Sequence, residues 1–473
     1  IYGDCSIPEL IRNNDGPDIN YWFNYSNVCT SIITPKQNNT YVTYFGDYNT
    51  YKECESECLK YPNICESYTY FSSLSNDANN SLGCYGRLND PQFCPCKANG
   101  VITAEIYWNC QTDMDCSLNG KCGSNGNCTC RNGWSGYKCD TLELLAASKN
   151  AGYNVTDNGA RTSSWGGAVL VDSSKNATDK NRYHMYLAEF DNHCGVNSWE
   201  LNSVVTHAQS TNGLDGPFER VNVIHEHFAH EPDAIRGPNG EYVIYYVYFN
   251  WTDISECECH DGSTTPECNN KLPYPAEYIT VMQYSDSPSG PFTEPEVVFP
   301  LRTEKTGLDT NLAGVINSDG SFTGLMRIWD DNTAGSEIHL ATATNWKDGS
   351  TYKQHSKVLF PELISILTED PFVYIDCDGY YHSLFHNMSP DNIQALCGGH
   401  AYSTDGINWV YGGYIYNNTV KFTDNTEITY SRRERPHFVF DSDGCTPIAL
   451  TNGVQYGGRY GDATLTLLQP VKH

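Results

Sequence analysis

Positive charge is scarce in this chain: 29 lysines and arginines stand against 57 aspartates and glutamates, for a formal net charge of −28. A nucleic-acid binder needs basic patches over phosphates, so that class of partner is excluded. No apolar run approaches the length of a membrane-crossing helix. Zinc-protease spacing is missing as well, because His225-Glu226-His227-Phe228-Ala229-His230 contains no His-Glu-x-x-His. Asp330-Asp331-Asn332 lacks the glutamate that would close an EF-hand loop.

Cysteine and tyrosine are abundant instead, at 21 and 34. The cysteines concentrate before residue 140, and nine Asn-x-Ser/Thr sequons run along the chain. The expected glycan acceptors are Asn24, Asn38, Asn79, Asn127, Asn154, Asn176, Asn250 and Asn417; the proline after Ser389 disfavours Asn387. Dense cysteines with sequons place the protein outside a reducing cytosol. The chain opens at Ile1, so a removed signal peptide is expected, and with it a secreted or cell-surface glycoprotein. In that setting Cys257, Cys259 and Cys268 read as a disulfide-tied insertion in preference to a zinc site. Seven cysteines follow residue 145, which leaves one over if none pairs across domains.

The C-terminal two-thirds is organised around Glu369-Asp370-Pro371-Phe372-Val373-Tyr374-Ile375, an Asp-Gly turn, and Tyr380-Tyr381-His382-Ser383-Leu384-Phe385-His386. This is a hairpin with period-2 alternation. The plan recurs at Glu231–Tyr246, at Asp309–Met326 and at Arg433–Gly444, with a degenerate copy from Trp165 to Leu187. Self-similarity at about 60 to 80 residues, several strands per unit, is the signature of a β-propeller. Five units fit residues 145–473, and a mainly β fold is predicted.

The EDPF…DGYYHSLFH segment, GGHAYSTDGINW and RRERPHFVF together resemble the family 43-like glycoside hydrolase propellers. The resemblance implies five blades whose innermost strands line a carbohydrate-facing funnel. Candidate catalytic carboxylates are then Asp233, Asp309, Glu369, Asp370 and Glu434, since glycoside hydrolysis needs one carboxyl held protonated beside an ionised partner. Trp165, His230, Arg327, His386, Arg433 and Arg435 are candidate substrate-binding residues. No cofactor is required; a calcium ion in the channel is the one metal anticipated, with His386 or His400 beside it. One departure matters. Active members carry an aspartate at the head of the first blade, where this chain reads Ser164-Trp165-Gly166-Gly167-Ala168, and the nearest carboxylates are Glu189 and Asp191.

Two smaller modules precede the propeller. In residues 1–109, Tyr51–Lys60 reads as a helix carrying Cys54 and Cys58, followed by Cys65 and Cys84 on aromatic segments. This resembles a PAN/apple module, which implies bridges Cys54–Cys84 and Cys58–Cys65. Residues 110–140 carry Cys110, Cys116, Cys122, Cys128, Cys130 and Cys139 around an Asn-Gly-Trp-Ser-Gly-Tyr loop. That series resembles an EGF-like module, which implies bridges of the first cysteine to the third, second to fourth and fifth to sixth. The combination is similar to algal or protist extracellular proteins. Two functions are weighed. One is a structural or adhesive, carbohydrate-binding component of a matrix or surface filament such as a flagellar hair, with neighbouring subunits as partners and a propeller that does not cleave. The alternative is an active secreted glycoside hydrolase on a plant- or algal-type polysaccharide.

Overall fold

The computed structural model divides the chain into two compact units, 1–109 and 110–473. In the first unit it describes six strands: Leu10–Arg12, Tyr21–Phe23, Val42–Asp47, Ser67–Phe71, Gly83–Arg87 and Val101–Glu105. From residue 110 it describes the chain apart from 155, 158–159, 175–176, 250–254, 266–267, 269–277, 303–310, 331–334, 362, 364–367, 388–397 and 457–460. In the first unit, Val42–Asp47, Gly83–Arg87, Ser67–Phe71 and Val101–Glu105 form one antiparallel sheet in that spatial order. The helix expected at Tyr51–Lys60 and the pairings expected for Cys54, Cys58, Cys65 and Cys84 lie outside the described residues.

The second unit is a five-bladed β-propeller. Its blades begin with inner strands Ser164–Val171, Ala229–Arg236, Ala313–Ile316, Thr368–Ile375 and Arg432–Phe440. Four blades are four-stranded antiparallel meanders; the fifth has three strands. Apolar alternation makes both faces of each blade sticky, so the cores lie between blades. Blade 1 meets blade 2 through Ala168, Tyr186 and Val205 against Ala234, Ile244 and Val281. Blades 4 and 5 meet through Phe372, Tyr374 and Leu384 against Phe438 and Leu450. The first hairpin of blades 2, 3, 4 and 5 turns at Gly240, Gly320, Gly379 and Gly444, with φ between +75° and +91°. No atom would crowd a Cβ at any of these four, so backbone conformation alone demands glycine there.

Blade 5 is completed from the other end of the propeller sequence. Leu145 N–H donates to Pro470 O (2.8 Å) and Tyr153 N–H to Thr466 O (2.8 Å), so 144–153 runs as a strap along the last strand. Tyr153 also donates to Glu189, whose other oxygen lies 2.5 Å from Arg220 Nη2. Thr466 Oγ1 donates to Gly166 O (2.9 Å) and Thr451 Oγ1 to Gly167 O (2.5 Å), joining blade 5 to blade 1.

Residues 110–140 fold against blades 4 and 5. Bridges join Cys110 to Cys122, Cys116 to Cys128 and Cys130 to Cys139. Arg131 binds Asp376 and Asp378, and Lys121 reaches Asp113 and Asp378, each at 2.9 Å. Trp134 is buried against His400 (5.1 Å between centroids) and Phe438 (6.5 Å). Within the propeller Cys194–Cys259, Cys257–Cys268 and Cys377–Cys445 are bridged. Of the seven cysteines there only Cys397 lies outside the described residues.

Truncating Trp134 removes the centre of this contact while leaving all bridges intact. Trp134→Ala is expected to cost about 3–5 kcal/mol, the range for deleting a buried aromatic, read as a lower denaturation midpoint of the second unit.

Candidate functional site

Each inner strand opens on a residue with left-handed backbone. The five are Gly166 (φ +67°), Glu231 (+58°), Asn311 (+21°), Asp370 (+51°) and Arg435 (+51°). In blades 1, 2, 4 and 5 the pairing register slips there, between Trp165/Ala168, His230/Asp233, Glu369/Phe372 and Glu434/His437. Such a bulge re-aims a side chain out of the pleat. For the non-glycine residues it costs of order 1–3 kcal/mol each, a strain found mostly at functional sites.

The ring is closed by charge. Arg435 reaches across the channel neck, with Nη1 3.2 Å from Asp370 Oδ1 and 3.6 Å from Glu231 Oε1. Its backbone N–H donates to Asp370 Oδ2 (3.2 Å), and Asn311 Nδ2 donates to Asp370 Oδ1 (2.5 Å). The Arg435 side chain lies over Gly166 so closely that a Cβ there would sit 2.7 Å from Nε. The first-blade position is therefore glycine because an arginine occupies the space above it.

Beside the ring, Glu369, Asp370, His386 and Glu434 offer ligand atoms that all lie within 4.8 Å of one another, and all four residues are buried. Arg327 Nη2 is 3.3 Å from Glu369, and Arg432 grips Glu434 through Nε (2.5 Å) and Nη2 (2.6 Å). His386 Nε2 lies 3.5 Å from Glu434; its Nδ1 is 3.4 Å from Glu369 and 4.0 Å from Asp370 without an aligned hydrogen bond. Burial raises both carboxyls of the blade-4 pair, but the outcomes diverge. Arg327 and His386 overcome burial and hold Glu369 at about 2. At Asp370 burial prevails over Arg435, with Glu369 and Glu434 adding repulsion, and the carboxyl rises to about 6. Burial lowers His386, yet Glu434, Glu369 and Asp370 together lift it above the ordinary imidazole value.

Several expected site residues sit elsewhere. Arg433 does not face the channel: it is 1 % exposed and donates to Asn452, Gln469 and the Asn417 carbonyl, under the Tyr416 ring. Strand alternation explains this, since Arg432 and Glu434 share one face and Arg433 takes the other. Arg432 is the residue that sequence reading missed, and that same alternation was its signal. Trp165 is not an open sugar wall; it is buried beside Ala188, Phe190 and Val196 with the Arg432 guanidinium 4.8 Å above it. His230 is buried, bonded to Ser203 Oγ (2.7 Å) against Trp199, with burial and Arg435 pushing it well below the usual range. Asp233 lies one level down the channel, 3.4 Å from His437 Nε2. Neither Glu189 nor Asp191 replaces the first-blade carboxylate. The first is sealed by Tyr153 and Arg220, and the second pairs with His227 (2.9 Å). His400 stacks with His382 away from the cluster (Nε2···Nδ1 3.0 Å). Asp309 lies outside the described residues.

No family model and no curated protein matches this chain. Among solved structures, a thermostable family-43 glycoside hydrolase is 15 % identical, with TM-score 0.42 over 68 % of this chain and 92 % of its own. The α-L-arabinofuranosidase of Podospora anserina, in complex with cellotriose, is 11 % identical, with TM-score 0.47 over 70 % and 97 %. The GH62 α-L-arabinofuranosidase catalytic domain of Coprinopsis cinerea is 14 % identical, with TM-score 0.43 over 70 % and 98 %. At these identities the likeness is one of architecture, and the functional reading rests on the side chains described above.

The cluster imposes a particular pH dependence. Glu369, depressed to about 2, stabilises the fold above its unfolded value of 4.5, and that stability is lost as pH falls toward 2. Asp370, raised to about 6, holds its proton more tightly when folded, so stability is lost as pH climbs from 3.8 to 6. His386, raised above 6.5, adds a loss on the alkaline side. Asp370→Asn keeps a carbonyl acceptor for Arg435 and tolerates left-handed backbone. It is expected to flatten the decline between pH 4 and 6 in denaturant midpoints; an unchanged slope would contradict the assignment.

Proposed function

We propose that the propeller is a carbohydrate-recognising unit that binds without cleaving, carried by a secreted or cell-surface glycoprotein with a structural or adhesive role. The observation that carries this reading is Arg435 lying across the neck with both Asp370 and Glu231 on its guanidinium. Hydrolysis needs two carboxyl groups free to flank a glycosidic bond, one donating a proton and one receiving or attacking. Here each central carboxylate already has a fixed cation: Glu369 has Arg327, Asp370 has Arg435, and Glu434 has Arg432. The head of the first blade, where the resembled family carries its base, reads Ser164 to Ala168 without a carboxylate, and Gly166 within it lies beneath Arg435. A sugar's hydroxyls suit such a lattice of paired charges, which offers donors and acceptors without a free nucleophile.

One observation favours the alternative, an active hydrolase: Glu369 and Asp370 are held at opposite ends of the carboxyl range, the separation acid and base roles require. The two are sequence neighbours on one strand, a poor placement for groups that must address opposite sides of a bond.

The calcium ion anticipated in the channel would be held by Glu369, Asp370 and Glu434, with His386 beside it. The three hard carboxylate donors suit such an ion, whereas the His386 nitrogen is not a calcium donor and would lie beside it. It would there supply counter-charge and rigidity. Six disulfides among the described residues support an oxidising compartment. Asn127, Asn154 and Asn417 are exposed, as glycan acceptors must be. Assembly into a matrix or filament, through the smaller modules, belongs to the same proposal.

The test is a polysaccharide panel including arabinan and xylan, followed by affinity electrophoresis and by reducing-sugar release. Retardation without sugar release is expected, with Arg435→Ala weakening retardation at least tenfold. Sugar release by the wild type, abolished in Glu434→Gln, would replace this reading with the hydrolase.

A further inference from the structure

Two histidine pairs occupy matching places in the propeller. In blade 1, His184 Nδ1 lies 2.9 Å from His207 Nε2; in blade 4, His382 Nδ1 lies 3.0 Å from His400 Nε2. Each pair joins the second and third strands of its blade, and all four residues are buried. Their surroundings differ. The blade-1 pair packs against Tyr186 and Tyr242 of the propeller. The blade-4 pair carries Trp134 of the disulfide-braced segment, 5.1 Å from the His400 ring.

Hydrogen bonding fixes where the protons of the blade-4 pair sit. A carboxylate only accepts, so His382 Nε2 donates to Asp376 Oδ2 (3.1 Å), the oxygen that Arg131 also grips. His382 Nδ1 then accepts from His400 Nε2, which leaves His400 Nδ1 bare. That atom is buried and has no hydrogen-bond partner. A proton arriving there would make a buried imidazolium N–H with no acceptor, which is costly. Lifting Trp134 away lets water reach the ring and removes the penalty.

The groups around the pair do not reproduce this behaviour. Burial pushes both imidazoles below 6.5, His382 in spite of Asp376, and His400 further with His382 adding to it. Tyr374 stacks on His382 and Tyr402 on His400; burial raises both hydroxyls, so neither titrates in acid. Against burial, His382 and Arg131 hold Asp376 below 3.8, beneath the imidazole range. Asp140 is raised by burial and Asp115, against burial, is held down by the Gln111 and Thr112 N–H groups; both titrate as carboxyls. Arg131 also binds Asp378, which Lys121 shares at the exposed rim.

We propose that His382 and His400 form an acid-sensitive latch, holding residues 110–140 on blades 4 and 5 at neutral pH and releasing them as the solution acidifies. The sign follows from the bare nitrogen. The docked form excludes a proton that the released form accepts, so docking is strongest above 6.5 and is lost as pH falls through that value. One linked proton weakens docking by up to about tenfold per pH unit. The latch stands whether or not the channel binds sugar.

Hydrogen exchange of the full chain, corrected for intrinsic rates and followed from about pH 6.5 to about pH 5, tests it. Protection of amides between Arg131 and Glu143 is expected to fall about tenfold per pH unit, while the blade-1 strand Tyr183–Phe190 keeps its protection. His400→Gln retains a donor for His382 and cannot take up a proton, so the segment's protection is expected to become flat with pH. His207→Gln makes the same change in the blade-1 pair and is expected to leave the segment's profile as in the wild type. A flat wild-type profile, a parallel loss in all blades, an unaltered slope in His400→Gln or a flattened one in His207→Gln would each overturn the proposal. Should His400→Gln fail to fold, ring-labelled histidine in the wild type decides: the latch is refuted if no imidazole signal titrates together with the release.

Discussion

Arg435 is the constraint to which the centre of the propeller answers. Its guanidinium joins Asp370 of blade 4 to Glu231 of blade 2 across the channel, and its stem excludes any side chain at position 166 of blade 1. One residue thus couples four of the five blades. Its backbone is left-handed, which an arginine adopts only at a cost of order 1–3 kcal/mol. The ion pairs, made in a site where water is largely excluded and charges interact more strongly than at a surface, offset that cost.

The charge around this residue is arranged in pairs. Glu369, Asp370 and Glu434 would repel one another strongly if left bare in so small a volume. Arg327, Arg432, Arg435 and His386 surround them. Removing any one cation leaves a buried carboxylate unanswered, a larger penalty than the pair's own net worth. That asymmetry makes the cluster rigid and disinclined to open for proton transfer. The same strands, five residues further on, carry almost no charge, so the channel changes from a polar lattice to an apolar chamber along its length.

Rigidity also comes from outside the barrel of blades. The strap at 144–153 tethers the start of the propeller to its last strand, and the disulfide-braced residues 110–140 bury Trp134 against blades 4 and 5. The anchor on Asp376 reaches inward, because Asp376 also meets His382, which in turn contacts His400 beneath Trp134. This small segment is packed as part of the propeller rather than hung from it.

Local signals in the chain determined the architecture: hairpins turned on Gly240, Gly320, Gly379 and Gly444, alternating strands, and a repeat spaced as blades are spaced. They also brought Glu369, Asp370, Glu434 and Arg435 into consideration, since blade-opening positions must converge on an axis, and His386 and Arg327 on the second strands of their blades. Tertiary structure alone decided what those residues do. Alternation placed Arg432 on the site face and Arg433 in the core. Packing buried Trp165 and His230, which the family resemblance had suggested for sugar contact. The partner of each carboxylate was illegible in sequence because Arg435, Asp370 and Glu231 come from three different blades. Their distances depend on how the propeller closes, and closure is a property of the whole ring rather than of any one strand.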